Sequence, residues 1–380
     1  MPEFDYPGVH VEEDPSGVAP IAGVETSTTG FVGEVGSAER CAAVQVKSVA
    51  EFERTFGRVV SGFELGAAVA QFFANGGYDA WVVGLPNGVP LSDGLKRFDA
   101  VDTLSLLCLP GETDVEVLWA AIEYVERRRA FLLIDPPGTD IAGTIALTAS
   151  LALGGGANGA VYFPSLLVDD PAGVLSARPP SGAVAGMYAR VDRSRGVWKA
   201  PAGEEAVLHG ALAPALDLSD DEMSRLTSAA VNAIRGFPAE GVKVWGARTI
   251  QGADQIDSIW KYVPVRRLAI FVEHSIDRGT QWALFEPNDE STWAKVRRQC
   301  VVFLEGLFRQ GALQGRTTDE AYFVRCGSDT MTQNDIDNGR LNLVIGIAPL
   351  KPAEFVIFRI GQWQDESASS AKRGECRRRR

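Results

Sequence analysis

VPVRRLAIFVEHSIDRGTQWALFEPNDESTWAKVRRQCVVFLEGLFRQG, residues 263–311, decides how the rest of the chain is read. Arg267–Val272 (RLAIFV) is short, apolar and partly β-branched, which predicts a buried strand. A turn-rich passage follows, with Asp277-Arg278-Gly279 and Pro287-Asn288-Asp289. Ser291 and Thr292 then stand where an N-cap belongs, ahead of a helix predicted over Trp293–Gln310. At 100° per residue, Trp293, Val296, Cys300, Phe303, Leu304 and Leu307 gather on one side of that helix. Lys295, Arg298, Glu305 and Arg309 gather on the other, with Arg297 at the border and Val302 intruding. Within 293–310, four basic residues less Glu305 leave a formal charge of +3 in a chain of net charge −12. The helix therefore has a core face and a basic stripe. Read by itself, the stripe is a solvated face with Glu305 and Arg309 paired at i,i+4.

Outward from this stretch the pattern is α/β. GFVGEV (30–35), Asp79–Gly84, LSLLCLPG (104–111), FLLIDPPG (131–138) and GAVYFPSLLV (159–168) read as strands. Between them Val49–Phe56, Leu65–Asn75 closed by Gly76-Gly77, residues 114–129 and IALTASLAL read as helices. A small-residue helix is predicted over 182–192, and an acidic helix start follows the cap Ser219. Gly241–Ile250, AYFVRC (321–326), LNLVIGIAPL and AEFVIFRIGQ read as strands, with a helical turn over Thr332–Asn338. This rhythm favours sheets covered by helices.

Composition excludes several classes. The acidic balance argues against a general nucleic-acid binder, which needs clustered Lys and Arg. No run approaches the roughly 20 apolar residues of a membrane span. The N-terminus MPEFDYPGVHVEE lacks the basic start and apolar core of a signal peptide, so synthesis in the cytoplasm is expected. Cys41, Cys108, Cys300, Cys326 and Cys376 are scattered and odd in number, and with only three histidines they suggest no disulfide frame and no metal site. Cys108 and Cys300 sit among apolar residues and read as core side chains.

Residues 154–159, GGGANG, satisfy G-x-G-x-x-G, but they follow a helix and precede a strand, the reverse of a dinucleotide site. Asp135 reads as a turn former before Pro136-Pro137. No G-x-x-x-x-G-K-[ST] and no G-x-S-x-G occurs. No cofactor is expected. An α/β enzyme or nucleotide-binding domain remains the competing class on strand rhythm alone.

RGTQWALFEPND (278–289) with its following helix resembles the contractile tail sheath proteins of phages and related injection machines. YPGVHVEE (6–13), GVWKAP (196–201), VKVWGART (242–249) and RLNLVIGIAPLKPAEFVIFRIGQ (340–362) fit the same family in the same order. The resemblance implies a structural subunit, without catalysis, that polymerises as a helical sleeve around an inner tube and shortens to drive it through a target envelope. It implies other sheath subunits, the tube protein, and baseplate and cap proteins as partners, within a phage tail or tail-like particle that can be released from the cell. The short extended piece Val9, His10, Val11, Glu12 is either a loosely attached terminus or a strand lent to a neighbour's sheet edge. The resemblance favours the second, with Phe355, Val356, Ile357, Phe358, Arg359 and Ile360 as the C-terminal counterpart and LNLVIGIAPL as the alternative. It also favours Lys295, Arg297, Arg298 and Arg309 as the tube-facing residues. Larger relatives carry an outer domain between the strands at DAWVVG and LSLLCLPG; here the interval of about twenty residues leaves room for a loop. The expected organisation is an N-terminal arm (1–22), an α/β core of mixed sheets covered by helices (23–350), a C-terminal strand or arm (351–363) and a polar, Arg-ended tail (364–380) without enough apolar surface to fold.

Overall fold

The computed structural model describes residues 20–35, 42–58, 64–169 and 173–354. Both arms, Val9–Glu12 and Phe355–Ile360, lie outside the described residues. The first half builds one sheet and its helices: β1 (Thr29–Glu34), β2 (Val44–Val46), α1 (Val49–Phe56), α2 (Glu64–Ala74), β3 (Ala80–Leu85), α3 (Ser92–Leu95), β4 (Leu106–Cys108), α4 (Val115–Arg128), β5 (Phe131–Ile134), α5 (Ile141–Leu153) and β6 (Gly159–Phe163). Then come β7 (Leu166–Asp169), β8 (Leu175–Arg178), α6 (Ser181–Arg195), β9 (Ala213–Pro214), α7 (Asp220–Ser228), β10 (Val231–Phe237) and β11 (Gly241–Val244). The C-terminal part holds α8 (Val263–Gly279), α9 (Glu290–Arg309), α10 (Thr318–Ala321), β12 (Tyr322–Arg325), α11 (Gln333–Asp337) and β13 (Val344–Ile347).

The main sheet has eight strands in the order β11-β10-β6-β5-β4-β1-β3-β2. The six inner strands run parallel, and β2 and β11 add antiparallel to β3 and β10. Inner strands are buried on both faces, so their side chains divide by parity: Phe31 joins one apolar cluster and Val32 the other. The first cluster holds side chains of α1, α2 and α6, the second those of α3, α4 and α5.

The small-residue character of α6 has a steric cause. A Cβ on Gly182 would lie 2.3 Å from the Ala68 carbonyl oxygen, and one on Gly186 2.2 Å from that of Phe72. Only glycine lets α6 approach α2 so closely. A third cluster unites α8 and α9 with the two-stranded sheet β12–β13.

Four expectations are corrected. RLAIFV lies inside the 17-residue helix α8, not in a strand. A six-residue apolar run has no period long enough to separate strand from buried helix, and Pro264 in the first turn was the start signal. Helix α9 begins at Glu290 because Asp289, not Ser291 or Thr292, caps it, accepting the Thr292 amide at 3.0 Å. GAVYFPSLLV breaks at the cis Phe163–Pro164 bond into β6 and β7, which belong to different sheets, since proline has no N–H for the ladder. Gly241–Ile250 is extended only to Val244, whereas β10, rich in Asn, Arg and Gly, carried no strand pattern and forms the neighbouring strand. The interval between β3 and β4 is a short connection, as expected, with α3 and a 3-10 turn (Lys96–Ala100) that bury Leu95 and Phe98. It contains no inserted outer domain.

Candidate assembly surfaces

Helix α9 is fastened by the turn that precedes it. Trp282 donates its indole N–H to Gln299 Oε1 (2.8 Å), and Trp293 donates to Asn288 Oδ1 (2.7 Å). Asn288 in turn donates to the Arg340 carbonyl at 3.1 Å. Three side chains of the QWALFEPND motif thus act as ties and a cap, which is why these polar and aromatic types occur together. Leu284 and Phe285 at the tip of the turn point into solvent, and Phe285 is held at φ +69°.

With α9 so fixed, Trp293, Val296, Cys300, Leu304 and Leu307 are buried, and Phe303 is half-buried against Phe271, ring centroids 5.9 Å apart. Burial pushes the Cys300 thiol up to about 12, as for an inert core side chain. On the opposite face Lys295, Arg298, Val302 and Arg309 are exposed. The four cations differ in their freedom. Arg309 pairs with Glu305 at i,i+4. Arg297 donates to the Cys326 carbonyl (2.6 Å) and lies 3.8 Å from Glu290. Lys295 and Arg298 make no ion pair among the described residues and are the pair available to a partner. Spacing revealed the stripe; the capture of Arg297 by a strand end 29 positions away had no signal in the sequence.

The sheet β12–β13 is the second surface. Its strands pair antiparallel from Tyr322↔Ile347 to Arg325↔Val344. Tyr322, Val324, Ile345 and Ile347 share the third apolar cluster with α9, while Phe323 and Val344 face solvent. The Phe323 ring lies across Gly346, where a Cβ would come within 2.1 Å of it. Among the described residues neither strand has a third partner, so both edges present unpaired N–H and C=O groups. Just past β13 a bridge between Leu313 and Pro349 ties the chain, and the β11 edge of the main sheet is partly closed by a bridge between Val207 and Lys243.

Where a doubly wound sheet would bind a ligand, beyond the carboxyl ends of β1 and β4, the crevice is lined by Glu34, Glu64, Glu112 and Asp114. Four carboxylates oppose a phosphate group. The glycine loop 154–159 lies at the other end of the sheet, leading into β6, where Gly156 makes room for Ile250. Asp135 does more than turn the chain. It is buried and accepts from the Gly111 amide (3.0 Å), the Ser181 amide (2.8 Å) and the Ser181 hydroxyl (2.7 Å), anchoring the start of α6. Among the described residues no cluster of three His, Cys, Asp or Glu side chains could hold a metal ion, and no helix is long and apolar enough to cross a membrane.

Comparison with known proteins agrees with this architecture. Residues 91–250 match the phage tail sheath protein central domain and residues 255–362 the phage tail sheath C-terminal domain. The tail sheath protein of Enterobacteria phage T4 is 25% identical over 179 residues, 47% of this chain, and the chain spans only 26% of that protein's length. Among solved structures, the sheath of the extracellular contractile injection system PVC in its contracted state is 33% identical, with a TM-score of 0.77 over 95% of this chain and 99% of that one. The contracted helical sheath of the anti-feeding prophage (AFP) is 32% identical, with a TM-score of 0.77 over 94% and 99%. The chain belongs to the contractile tail sheath family and is a structural sheath protein of a phage tail or tail-like particle.

Proposed function

We propose that this protein polymerises helically around an inner tube and that the sleeve shortens and widens on triggering, driving the tube through a target envelope. The observation that carries the reading is the alignment of nearly the whole chain with sheath subunits of contractile injection systems at about one-third identity. Contraction in this reading is a rigid-body change of packing between subunits. Energy stored in the assembly takes the place of nucleotide hydrolysis, and the protein has no catalytic role.

Neighbours are linked by Val9–Glu12 and Phe355–Ile360, each adding a strand to an open edge. Support for this comes from the β12–β13 sheet, whose strands have no third partner among the described residues. The tube contact is electrostatic, through Lys295 and Arg298 with Arg297 and Arg309 beside them. Exposed ion pairs are individually weak and screened by salt, which suits a contact that must let go. Baseplate and cap proteins are the terminal partners, and synthesis is cytoplasmic.

Electron microscopy of the purified particle tests the whole: a striated sleeve around a tube is expected, and an isolated globular protein would overturn it. Removal of residues 1–18 tests the arms. A folded, soluble monomer that no longer forms sheaths is expected, and normal polymerisation would refute the linkage.

A further inference from the structure

GVWKAP (196–201) and VKVWGART (242–249) take no part in the surfaces above, yet they line one cleft of about 840 Å³. Its lining includes Trp198, Lys199 and Trp245 together with Leu350–Glu354. That last segment is the final described stretch of the chain. Its last backbone ties are the Gln314 amide to the Ala348 carbonyl (2.7 Å), the Ala348 amide to the Ala321 carbonyl (2.8 Å) and an isolated bridge between Leu313 and Pro349. Among the described residues no backbone hydrogen bond or bridge holds residues 351–354. Yet the side chain of Glu354 turns inward to 19% exposure and meets Arg248.

The contact is a two-pronged one. Arg248 Nε donates to Glu354 Oε1 at 2.8 Å and Nη2 to Oε2 at 2.7 Å, and the Tyr262 hydroxyl donates to Oε2 at 3.2 Å. The guanidinium, 3% exposed, is set in place beforehand. Its Nη1 donates to the Thr227 carbonyl, the Gly252 carbonyl and Asp254 Oδ1 at 2.9, 3.2 and 2.8 Å. Its backbone is gripped on both sides by buried Asn232, which accepts the Arg248 amide (2.6 Å) and donates to its carbonyl (2.8 Å). A planar fork on a fixed base holds a carboxylate in one orientation.

We infer that Glu354, gripped by Arg248, is the anchor that sets where and in which direction residues 355–380 leave the core. Force on a linking arm then enters the subunit through this ion pair, at the rim of the large sheet. The inference rests on the reading of 355–360 as a link between subunits. Arg248 and Glu354 are positioning residues: they touch no partner but aim the segment that does.

Glu354→Gln is the informative substitution, because Arg248 keeps Asp254 and two carbonyls and no buried charge is stranded. Nitroxide labels at Ala353→Cys and Ala149→Cys, both exposed sites, report the position of the segment by pulsed electron resonance. Cys41 and Cys376 are changed to serine; Cys108, Cys300 and Cys326 are buried. In the full-length monomer a narrow distance distribution is expected with Glu354, at least twofold broader in E354Q, with an unchanged melting temperature. E354Q is also expected to lower the yield of assembled sheaths about tenfold. Equal widths, or a broad distribution already present with Glu354, would overturn the anchor, as would broadening without loss of assembly. Deletion of 355–380 is the separate control. If that truncation assembles normally, the linking-arm reading fails, while the label widths still judge the grip of Arg248 on Glu354.

Discussion

Arg267 and Asp192 meet in a buried two-pronged ion pair, Nη1–Oδ1 2.9 Å and Nη2–Oδ2 2.6 Å, with neither side chain more than 4% exposed. The pair joins α8 to α6. Thr26 adds its hydroxyl to the same carboxylate (2.8 Å) and its carbonyl to Arg267 (2.8 Å). The entering chain, the core helix and the first C-terminal helix are thus tied at one point. Breaking such a pair on one side leaves a charge buried without its partner, at a cost of about 3–5 kcal/mol. Asp192→Ala is expected to lower unfolding stability by that amount in urea titration. A loss below about 1 kcal/mol would mean the C-terminal part is held by other contacts.

The crossing of α6 and α2 gives a second prediction. Gly186→Ala places a methyl against backbone that cannot swing aside. Overpacking costs about 1–3 kcal/mol in ordinary cores, and here the upper end or beyond is expected, read as a lower denaturation midpoint. Gly306→Ala, on a helix with open space around it, is expected to be neutral or slightly stabilising.

Asp135 predicts a pH dependence. Burial raises its pKa from 3.8 to about 6, against the opposing hydrogen bonds from Ser181 and Gly111. The native state therefore binds the proton more tightly than the unfolded state does. Stability from this group is fully present below about pH 4 and declines as pH rises through about 6, by about 2–3 kcal/mol in all. The difference in stability between the parent and Asp135→Asn, measured from pH 4 to 7, is expected to shift against the parent over that window. A flat difference would place the folded pKa near the unfolded one.

For the tube contact, changing Lys295 and Arg298 to Glu is expected to destabilise extended sheath–tube complexes while empty contracted sheaths still form. Electron micrographs across a salt series check this. Extended particles at normal yield and with unaltered salt resistance would reduce the stripe to a wet helix face. Arg309→Gln, which removes a cation already paired with Glu305, is expected to have a smaller effect.

What the sequence made legible follows the range of the interactions concerned. The helix Val49–Phe56 and the start of the helix Asp220–Ser228 after its cap Ser219 could be read because their signals lie within one or two helical turns. The basic face of α9 and the Glu305–Arg309 pair were legible for the same reason. The helix α8 was missed because a six-residue window cannot hold two helical turns of pattern. The strand β10 was missed because Asn232, its second residue, serves Val161 and Arg248 across the fold. The Arg248–Glu354 contact spans 106 positions, and nothing local marks either residue as a partner.

The sheet β12–β13 and the helix α9 rest on one shared layer of side chains, with Tyr322, Val324, Ile345 and Ile347 on one side and Val296, Leu304 and Leu307 on the other. A close-packed layer of this kind transmits displacement instead of absorbing it. A strand pulled along either open edge would therefore tilt Lys295 and Arg298 with it. In the proposed assembly, slippage between neighbours and loosening from the tube would then be one stroke of a lever, with no separate signal needed to tell the inner face that the outer lattice has moved.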